Sequence, residues 1–338
     1  MTTYIRFSSD DIVITTEKVF SSTWTGNTNA IAGGFPIDGT VAGSPSASTA
    51  FRVEYAHVNG GTDVNFAVSY GHFQDSGSAP YNSSDPGYSS TRSVYSQYRS
   101  LIYGDETRNF TFNGYEPQDI YVVNVARSRY KQALRPGSLN IKLGATSLVY
   151  TDDSVSRSGS AVLTNIGRQF NIVSGSNGVM SGSNLSQTTS GSIGLFYPDA
   201  GIMIFNPDAL GANNSITHAT LNTNRNTNNM TALDTIQGLF ETALDTGESF
   251  VLDTEEKISS QFYFIRARNK EFNYTTNPSF IDANGNVNKT SMVDNPTTYI
   301  TTVGLYNDAN ELLAVAKLSQ PVVKDFTKEA LIKVKLDY

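Results

Sequence analysis

Histidine offers the first test for chemistry, because the chain contains only three histidines and no cysteine. Metal binding and general acid–base catalysis both rely on histidine. His57 and His72 flank a predicted hairpin, so their rings are expected to approach each other, whereas His218 lies in an Asn/Thr-rich stretch. A metal would still need a third ligand, and no His-x-His or His-Glu-x-x-His spacing occurs. We therefore predict no metal site and no cofactor.

Neighbouring acidic residues are the second chemical signal, because two carboxylates flanking a sugar can hydrolyse a glycosidic bond. Three groups fit this description: Asp105-Glu106, Asp152-Asp153 and Asp253-Glu255-Glu256. Adjacent acids on polar stretches are usually solvated charges. The sequence does not place any two of them across a cleft, so these groups remain weak candidates for catalysis.

Motifs of other enzyme classes are missing. The nearest match to the Gly-x-Ser-x-Gly nucleophile elbow is Gly175-Ser176-Asn177-Gly178, which has the wrong order, and no phosphate-binding loop is present. The stretch 282–288 is similar in composition to a calcium loop, but Val287 and Val293 stand where Gly and Glu are required. A type I′ turn at Asn284-Gly285 accounts for the same residues. We predict that the protein is not an enzyme.

Binding residues are easier to nominate. Arg266, Arg268 and Lys270 alternate along a predicted strand, so all three are expected on one side, where they would bind a phosphate or a partner's acidic edge. The alternative is that these charges protect an exposed strand edge. Tyrosines often anchor interfaces. Tyr98 and Tyr306 therefore join the three basic residues as the candidate interface.

The composition favours a β-rich chain with many loops. Charged residues make up only 16% of the 338 residues, and there are 18 Tyr and 18 Phe. The net charge of −7 argues against a general affinity for nucleic acid. No apolar run approaches the roughly 20 residues that cross a bilayer, so no membrane insertion is expected. The N-terminal residues lack a basic-then-apolar leader, which predicts synthesis in a cytoplasm without routing by a leader.

Hydrophobic periodicity predicts a mainly-β or α+β fold with antiparallel sheets, hairpins and two or three short helices. Residues 299–306 and 311–318 form a hairpin around a turn at Asn307–Asn310, and alternation in residues 331–337 predicts a C-terminal strand built into a sheet. A second hairpin is predicted in residues 195–205. Helices are predicted over 91–103, where Ser93 or Thr91 would be the N-cap, over 231–244 and, for one or two turns, over 127–134.

These elements suggest four consecutive segments. They are an N-terminal β segment with a loop (1–60), a β domain containing the helix 91–103 (61–150), a polar, loop-rich β region (151–230), and a helix followed by a C-terminal β-sheet domain (231–338).

The stretch from Tyr299 to Ser319 resembles the ends of virion structural proteins from large contractile-tailed phages. It reads Tyr-Ile-Thr-Thr-Val-Gly-Leu-Tyr-Asn-Asp-Ala-Asn-Glu-Leu-Leu-Ala-Val-Ala-Lys-Leu-Ser. Further similar pieces are Ser96-Gln-Tyr-Arg, Asp119-Ile-Tyr-Val-Val-Asn-Val-Ala-Arg, Leu134-Arg-Pro-Gly and Gly194-Leu-Phe-Tyr-Pro-Asp-Ala-Gly. The first 60 residues take no part. A more general similarity is to a baseplate wedge protein of similar length, which also closes its chain with a β-strand.

The resemblance implies a non-enzymatic late protein of the virion, most simply a component of the tail baseplate that is assembled in the host cytoplasm. Its partners would be other tail and baseplate proteins and copies of itself. The alternative is a receptor- or glycan-binding tail protein, because exposed aromatic rings and Asn/Asp-rich loops suit sugars. Fibres usually contain repeats, and this sequence has none.

Overall fold

The structure is a computed structural model, and it describes residues 4–24, 30–31, 37–38, 54–57, 63–74, 90–144, 148–156, 161–181, 191–212, 239–240, 250–275 and 277–337. Strands are the main secondary structure in this part of the chain. The described strand pairs with an assigned register are antiparallel, and the C-terminal strand belongs to a sheet. The predicted fold class is therefore confirmed.

The elements follow the chain in this order: β1 (Ile12–Ser22), β2 (Ala30–Ile31), β3 (Ile37–Asp38), β4 (Glu54–His57), β5 (Val64–His72), α1 (Ser90–Tyr103), β6 (Asp119–Val125), β7 (Ala133–Leu134), β8 (Asn140–Ile141), β9 (Tyr150–Asp152), β10 (Val162–Thr164), β11 (Gly167–Ser176), β12 (Val179–Met180), β13 (Gly194–Tyr197), β14 (Ile202–Phe205), α2 (Pro207–Ala212), β15 (Phe250–Val251), β16 (Asp253–Ala267), β17 (Thr298–Tyr306), β18 (Leu312–Lys324) and β19 (Ala330–Asp337). Short 3-10 turns occur at Ser9–Asp11, Arg127–Arg129 and Thr290–Met292.

Two compact units make up the chain. Unit 1 comprises Met1–Lys18 and Lys257–Tyr338, and unit 2 comprises Val19–Glu256. This division differs from the four consecutive segments suggested by composition. Composition divides a chain only along its length, whereas a compact unit can combine stretches from both ends, as unit 1 does.

Unit 2 is built around a 13-stranded sheet in the order β2-β15-β8-β9-β11-β13-β14-β6-β5-β4-β3, with β10 and β12 beside β11. Its central strands are buried on both faces. Along β6, Ile120 and Val122 pack into one apolar cluster, whereas Tyr121 and Val123 pack into another on the opposite face. This double burial explains why β6 is an almost continuous apolar run rather than an alternating one. The predicted hairpin formed by β13 and β14 is confirmed beside it.

Helix α1 contributes to one of these clusters through Tyr95 and Ile102. It matches the helix predicted over 91–103 but begins at Ser90, so the two proposed N-cap residues lie inside its first turns. Leu101, which the helical spacing from Val94 and Tyr98 predicts to lie on the same apolar face, is exposed. The buried face centres between Tyr95 and Ile102, and Leu101 falls at its edge.

The other two helical predictions were not confirmed. Residues 127–134 form a 3-10 turn followed by β7 rather than α-helical turns. The predicted helix 231–244 lies outside the described residues except for Leu239 and Phe240, which are helical. Helix α2 was not predicted. It begins where the Asn206 side chain accepts hydrogen bonds from the backbone N–H groups of Asp208 and Ala209, at 3.1 and 3.3 Å, directly before Pro207.

Unit 1 contains two strand pairs. Strands β17 and β18 form a two-stranded hairpin, and β16 and β19 are paired in a second sheet, in which β16 also lies next to β1. Inward side chains from both pairs share one core, which includes Val303, Leu305, Ile332 and Val334.

The pairing of β17 with β18 is irregular at two places. Leu313 is an extra residue between the pairs Leu305–Ala314 and Tyr306–Leu312. Four residues of β18, ending at Pro321, lie opposite one residue of β17.

A buried lysine ties the end of β18 to the loop that follows β16. Lys324 is fully buried, and its ammonium group donates hydrogen bonds to the carbonyl oxygens of Asn269 (2.8 Å) and Asp325 (3.0 Å) and to the side chain of Asn273 (2.9 Å). All three acceptors are neutral oxygens.

Candidate interaction surface

The two histidines of the predicted hairpin lie at opposite ends of a strand pair. His57 is opposite Val64 at the start of β5, whereas His72 ends that strand. At about 3.4 Å per residue, these positions are roughly 27 Å apart, so the expectation that the rings approach each other is wrong. His218 lies outside the described residues. Within the described ranges, no group of three or more His, Asp or Glu side chains is arranged to hold a metal ion.

Asp152 and Asp153 are buried, and both carboxylates bind backbone groups. Asp152 accepts hydrogen bonds from the N–H of Gly137, at 2.9 Å to each oxygen, and from the N–H of Ser154 at 3.1 Å. Asp153 accepts from the backbone N–H and the side-chain amide of Asn171, both at 2.9 Å. These contacts explain why the chain buries two adjacent acids: each one anchors a neighbouring segment.

Replacement of Asp152 by alanine is expected to lower the free energy of unfolding by about 2 kcal/mol, because the N–H groups of Gly137 and Ser154 lose their acceptor. Asp152→Asn keeps one acceptor oxygen and should cost less. Urea denaturation of the three proteins at neutral pH measures both effects. Equal stabilities of the alanine and asparagine variants would contradict the anchoring role.

The same residue predicts a pH dependence. Burial raises the pKa of Asp152 above the ordinary value of an aspartic acid. A carboxyl group with a raised folded-state pKa favours the folded state most when it is protonated, and this contribution is lost as the pH rises through that pKa. The stability of the native protein relative to Asp152→Asn should therefore fall from acidic towards neutral pH. Urea denaturation at a series of pH values tests this, and a rising difference would contradict it.

The acids near the start of β16 each face a different basic side chain. The pairs are Asp253 with Arg135 (3.4 Å), Glu255 with Arg168 (2.7 Å) and Glu256 with Lys131 (2.6 Å). Arg168 also contacts Asp199, through its guanidinium at 2.6 Å and its backbone N–H at 2.7 Å. These carboxylates therefore take part in ion pairs, which accounts for their clustering.

The remaining acidic candidates belong to turns. Asp105 accepts hydrogen bonds from the backbone N–H and hydroxyl of Thr107, at 2.8 and 2.7 Å. Asp282 accepts from the N–H groups of Asn284 (2.9 Å) and Asn286 (2.8 Å). The predicted type I′ turn is wrong here, because of the two central residues only Gly285 has positive φ. The Asp282 side chain holds a different turn, in which Gly285 N–H bonds the Asp282 carbonyl at 3.0 Å.

The three basic candidates do not share a strand. Arg266 lies in β16 and contacts Glu329 at 3.4 Å, but the strand ends at Ala267. Arg268 and Lys270 are exposed in the turn that follows, where the Glu271 N–H bonds the carbonyl of Arg268 at 3.0 Å. The expected alternation on one face is therefore wrong, because a turn replaces the strand after Ala267.

The two candidate tyrosines have different surroundings. Tyr98 is half-buried on α1, and its hydroxyl is hydrogen-bonded to the side chains of Asn124 and Ser69. Burial raises the pKa of the Tyr98 hydroxyl. Tyr306 is exposed at the end of β17, and its ring meets the edge of Tyr4 with centroids 5.0 Å apart. Tyr98 thus helps hold α1 in place, whereas Tyr306 is accessible for contact.

Tyr306 belongs to a larger set of exposed apolar side chains on the outward face of the hairpin. We call this set, together with Tyr4, the outer hairpin surface: Tyr4, Tyr299, Tyr306, Leu312, Leu313, Val315 and Val323. Tyr299 and Val323 are directly paired across the strands. The Tyr306 ring and Leu312 lie against Gly304, since a Cβ there would come within 2.9 and 3.1 Å of them.

The neighbouring strand β19 shows that the fold does not require an apolar outward face. Its inward positions are Ile332 and Val334, and of its outward positions three are charged (Lys333, Lys335 and Asp337) and one, Leu331, is apolar and exposed. Strand β18 has Leu313 and Val315 exposed instead. An apolar outward face makes no contribution to the core of unit 1. It therefore suggests that another molecule covers it.

Comparison with known proteins gives no identity. No protein family, no curated protein and no solved structure matches the chain. In the described part of the chain, no helix has the length and apolar composition needed to cross a membrane. Function must therefore be argued from the outer hairpin surface and from the placement of the candidate residues.

Proposed function

We propose that this chain is a non-enzymatic structural subunit of a phage virion, a component of the tail baseplate wedge that works by contact with other tail proteins and with copies of itself. The observation that carries the proposal is the outer hairpin surface, with exposed apolar side chains on the outward face of one hairpin. Five of these side chains cluster next to the turn (Tyr4, Tyr306, Leu312, Leu313 and Val315), and monomeric soluble proteins rarely expose a large contiguous apolar patch unless it is used.

The sequence resemblance falls on the same residues. The stretch from Tyr299 to Ser319, which resembles the ends of contractile-tail virion proteins, covers β17 except its first residue and more than half of β18. It supplies Tyr299, Tyr306, Leu313 and Val315 to the surface. The segment that suggests a virion protein thus also has the properties of a contact surface.

The carboxylates considered for catalysis support the same proposal. Asp152 and Asp153 bind backbone amides, and Asp253, Glu255 and Glu256 form ion pairs. A glycosidase would need two carboxyl groups aimed at a shared space between them. Their present partners are sufficient to explain why these residues are acidic.

Immunogold labelling of purified phage particles tests the proposal. An antibody raised against this chain should place gold at the distal end of the tail, and antibody pre-absorbed with the purified chain is the control. Gold along the fibres would favour the receptor- or glycan-binding alternative. Absence of gold, together with absence of the chain's peptides from particle digests by mass spectrometry, would overturn the virion assignment.

A further inference from the structure

We propose that the outer hairpin surface binds the same surface of a second copy of this chain, in a two-fold symmetric contact. The inference deepens the proposed structural role and rests on it only for its biological setting. The contact itself is argued from unit 1, because every residue of the surface belongs to that unit.

The exposed area is appropriate for a specific contact. The surface consists of seven side chains that are each exposed by between 37% (Val323) and 68% (Leu313). Five of them lie next to the turn, whereas Tyr299 and Val323 lie at the other end of the hairpin, beyond Thr302 and Lys317. At roughly 200 Å² for a fully exposed large side chain, the group next to the turn offers on the order of 500 Å². A standard stable interface buries about 800 Å² on each partner. The group next to the turn therefore supplies more than half of what one partner must contribute, and the rest would come from the polar side chains around it.

The arrangement of residues favours a copy of itself as the partner. The densest apolar part is Leu312, Leu313 and Val315, with Tyr306 beside it. A two-fold axis through this part would set the apolar cluster of one copy on that of the other, with strand directions reversed. Two sheets can pack face to face in this way with their inward-facing side chains interdigitated.

The charges near the cluster fit the same symmetry. Lys317 lies two residues beyond Val315 along β18, and the turn on the other side of the cluster contains Asp308 and Glu311. Reversal of the strand direction would bring Lys317 of each copy towards the acidic turn of the other. A symmetric contact would thus contain this attraction twice.

Sedimentation velocity over a concentration series tests the contact. The native chain should associate in a concentration-dependent way, and Leu313→Lys should weaken association by about a hundredfold, because a two-fold contact buries the new charge twice. Leu331→Lys is the matched control: Leu331 is 67% exposed on the neighbouring strand β19, and Leu313 is 68% exposed. The control should associate like the native chain. Circular dichroism should show that both variants are folded.

A charge exchange tests the register. Lys317→Asp should weaken association, and the double variant Lys317→Asp with Asp308→Lys should restore it, because the exchanged charges meet again across the two-fold axis. A native chain that stays monomeric at every concentration would overturn the proposal. Equal weakening by Leu313→Lys and Leu331→Lys would also overturn it.

These results are independent of the labelling experiment. A chain found at the baseplate that stays monomeric in isolation contradicts only the self-contact. If Leu313→Lys then also failed to enter particles, a different virion protein would be identified as the occupant of the surface. A chain that associates but is absent from particles contradicts only the proposed virion role.

Discussion

Replacement of Arg168 by methionine is expected to lower the free energy of unfolding of unit 2 by about 3 kcal/mol. Arg168 holds Glu255 at 2.7 Å and Asp199 at 2.6 Å, and the side chain of Glu255 is only 4% exposed. Methionine keeps most of the aliphatic length but removes the positive charge. The buried carboxylate of Glu255 then lacks its partner and cannot be fully hydrated, and this accounts for most of the loss.

Tryptophan fluorescence during urea denaturation measures this effect, because Trp24 is the single tryptophan of the chain and is buried in the core of unit 2. Lys131→Met is the matched control, because Lys131 belongs to the same unit. It removes a positive side chain from a more exposed pair, Lys131 with Glu256, and should change stability by less than about 1 kcal/mol. Equal effects of the two substitutions would mean that Arg168 is no more important than a surface ion pair.

Lys324→Met is expected to destabilise unit 1 by about 2 kcal/mol. The lysine ammonium group satisfies three oxygen atoms at the junction between β18 and the loop after β16, and the side chain is fully buried. Methionine fills a similar volume but donates no hydrogen bond. The side-chain oxygen of Asn273 and the carbonyl of Asp325 would lose this donor in a region with little access to water.

Far-UV circular dichroism during urea denaturation measures the loss. Lys335→Met is the control, because Lys335 is exposed on β19 and its contact with Asp337 at 3.0 Å is a surface pair. It should leave stability nearly unchanged. If the two variants had the same midpoint as the native protein, the ammonium of Lys324 would have no structural role.

Local patterns were sufficient for much of the fold. The apolar face of α1 and the alternation in β19 arise from the helical and strand repeats, so residues close in sequence contain the whole signal. The hairpin of β17 and β18 was predicted in the same way, from its turn at Asn307–Asn310. Most terminal bounds shifted by one residue, but β18 continues to Lys324, well beyond the predicted end at residue 318. The ends of elements are set by caps and contacts rather than by period.

Two Asn-Gly pairs adopt different turns, although the dipeptide is the same. Asn177-Gly178 has positive φ at both residues, 52° and 74°, and connects β11 to β12 as a two-residue hairpin turn. Asn284-Gly285 was expected to do the same, but there a preceding carboxylate, that of Asp282, captures the N–H groups of the turn. The dipeptide alone does not distinguish these cases, and the side chain two residues earlier decides between them.

Contacts between distant residues could not be predicted. Arg168 and Glu255 are 87 residues apart, and nothing in either neighbourhood indicates the other. The basic residues after β16 were misplaced for a related reason, since the strand ends where its pairing with β19 ends, at Ala267. The outer hairpin surface, in contrast, could have been predicted from the sequence. Next to the turn, the outward positions of β18 are apolar (Leu312, Leu313 and Val315), whereas three of the outward positions of β19 are charged, and a comparison of the two strands would have revealed the difference.

The irregularity that ends at Pro321 has a consequence for growth of any assembly. A hairpin whose free edge offers an unbroken ladder of N–H and C=O groups can recruit strand after strand into a fibril. In β18 that ladder is broken, because four residues lie opposite one residue of β17, three more than in a regular ladder, and Pro321 has no N–H to offer. Copies of this chain crowded together would therefore not extend the sheet through the edge of β18, and this favours a contact between sheet faces that closes on itself.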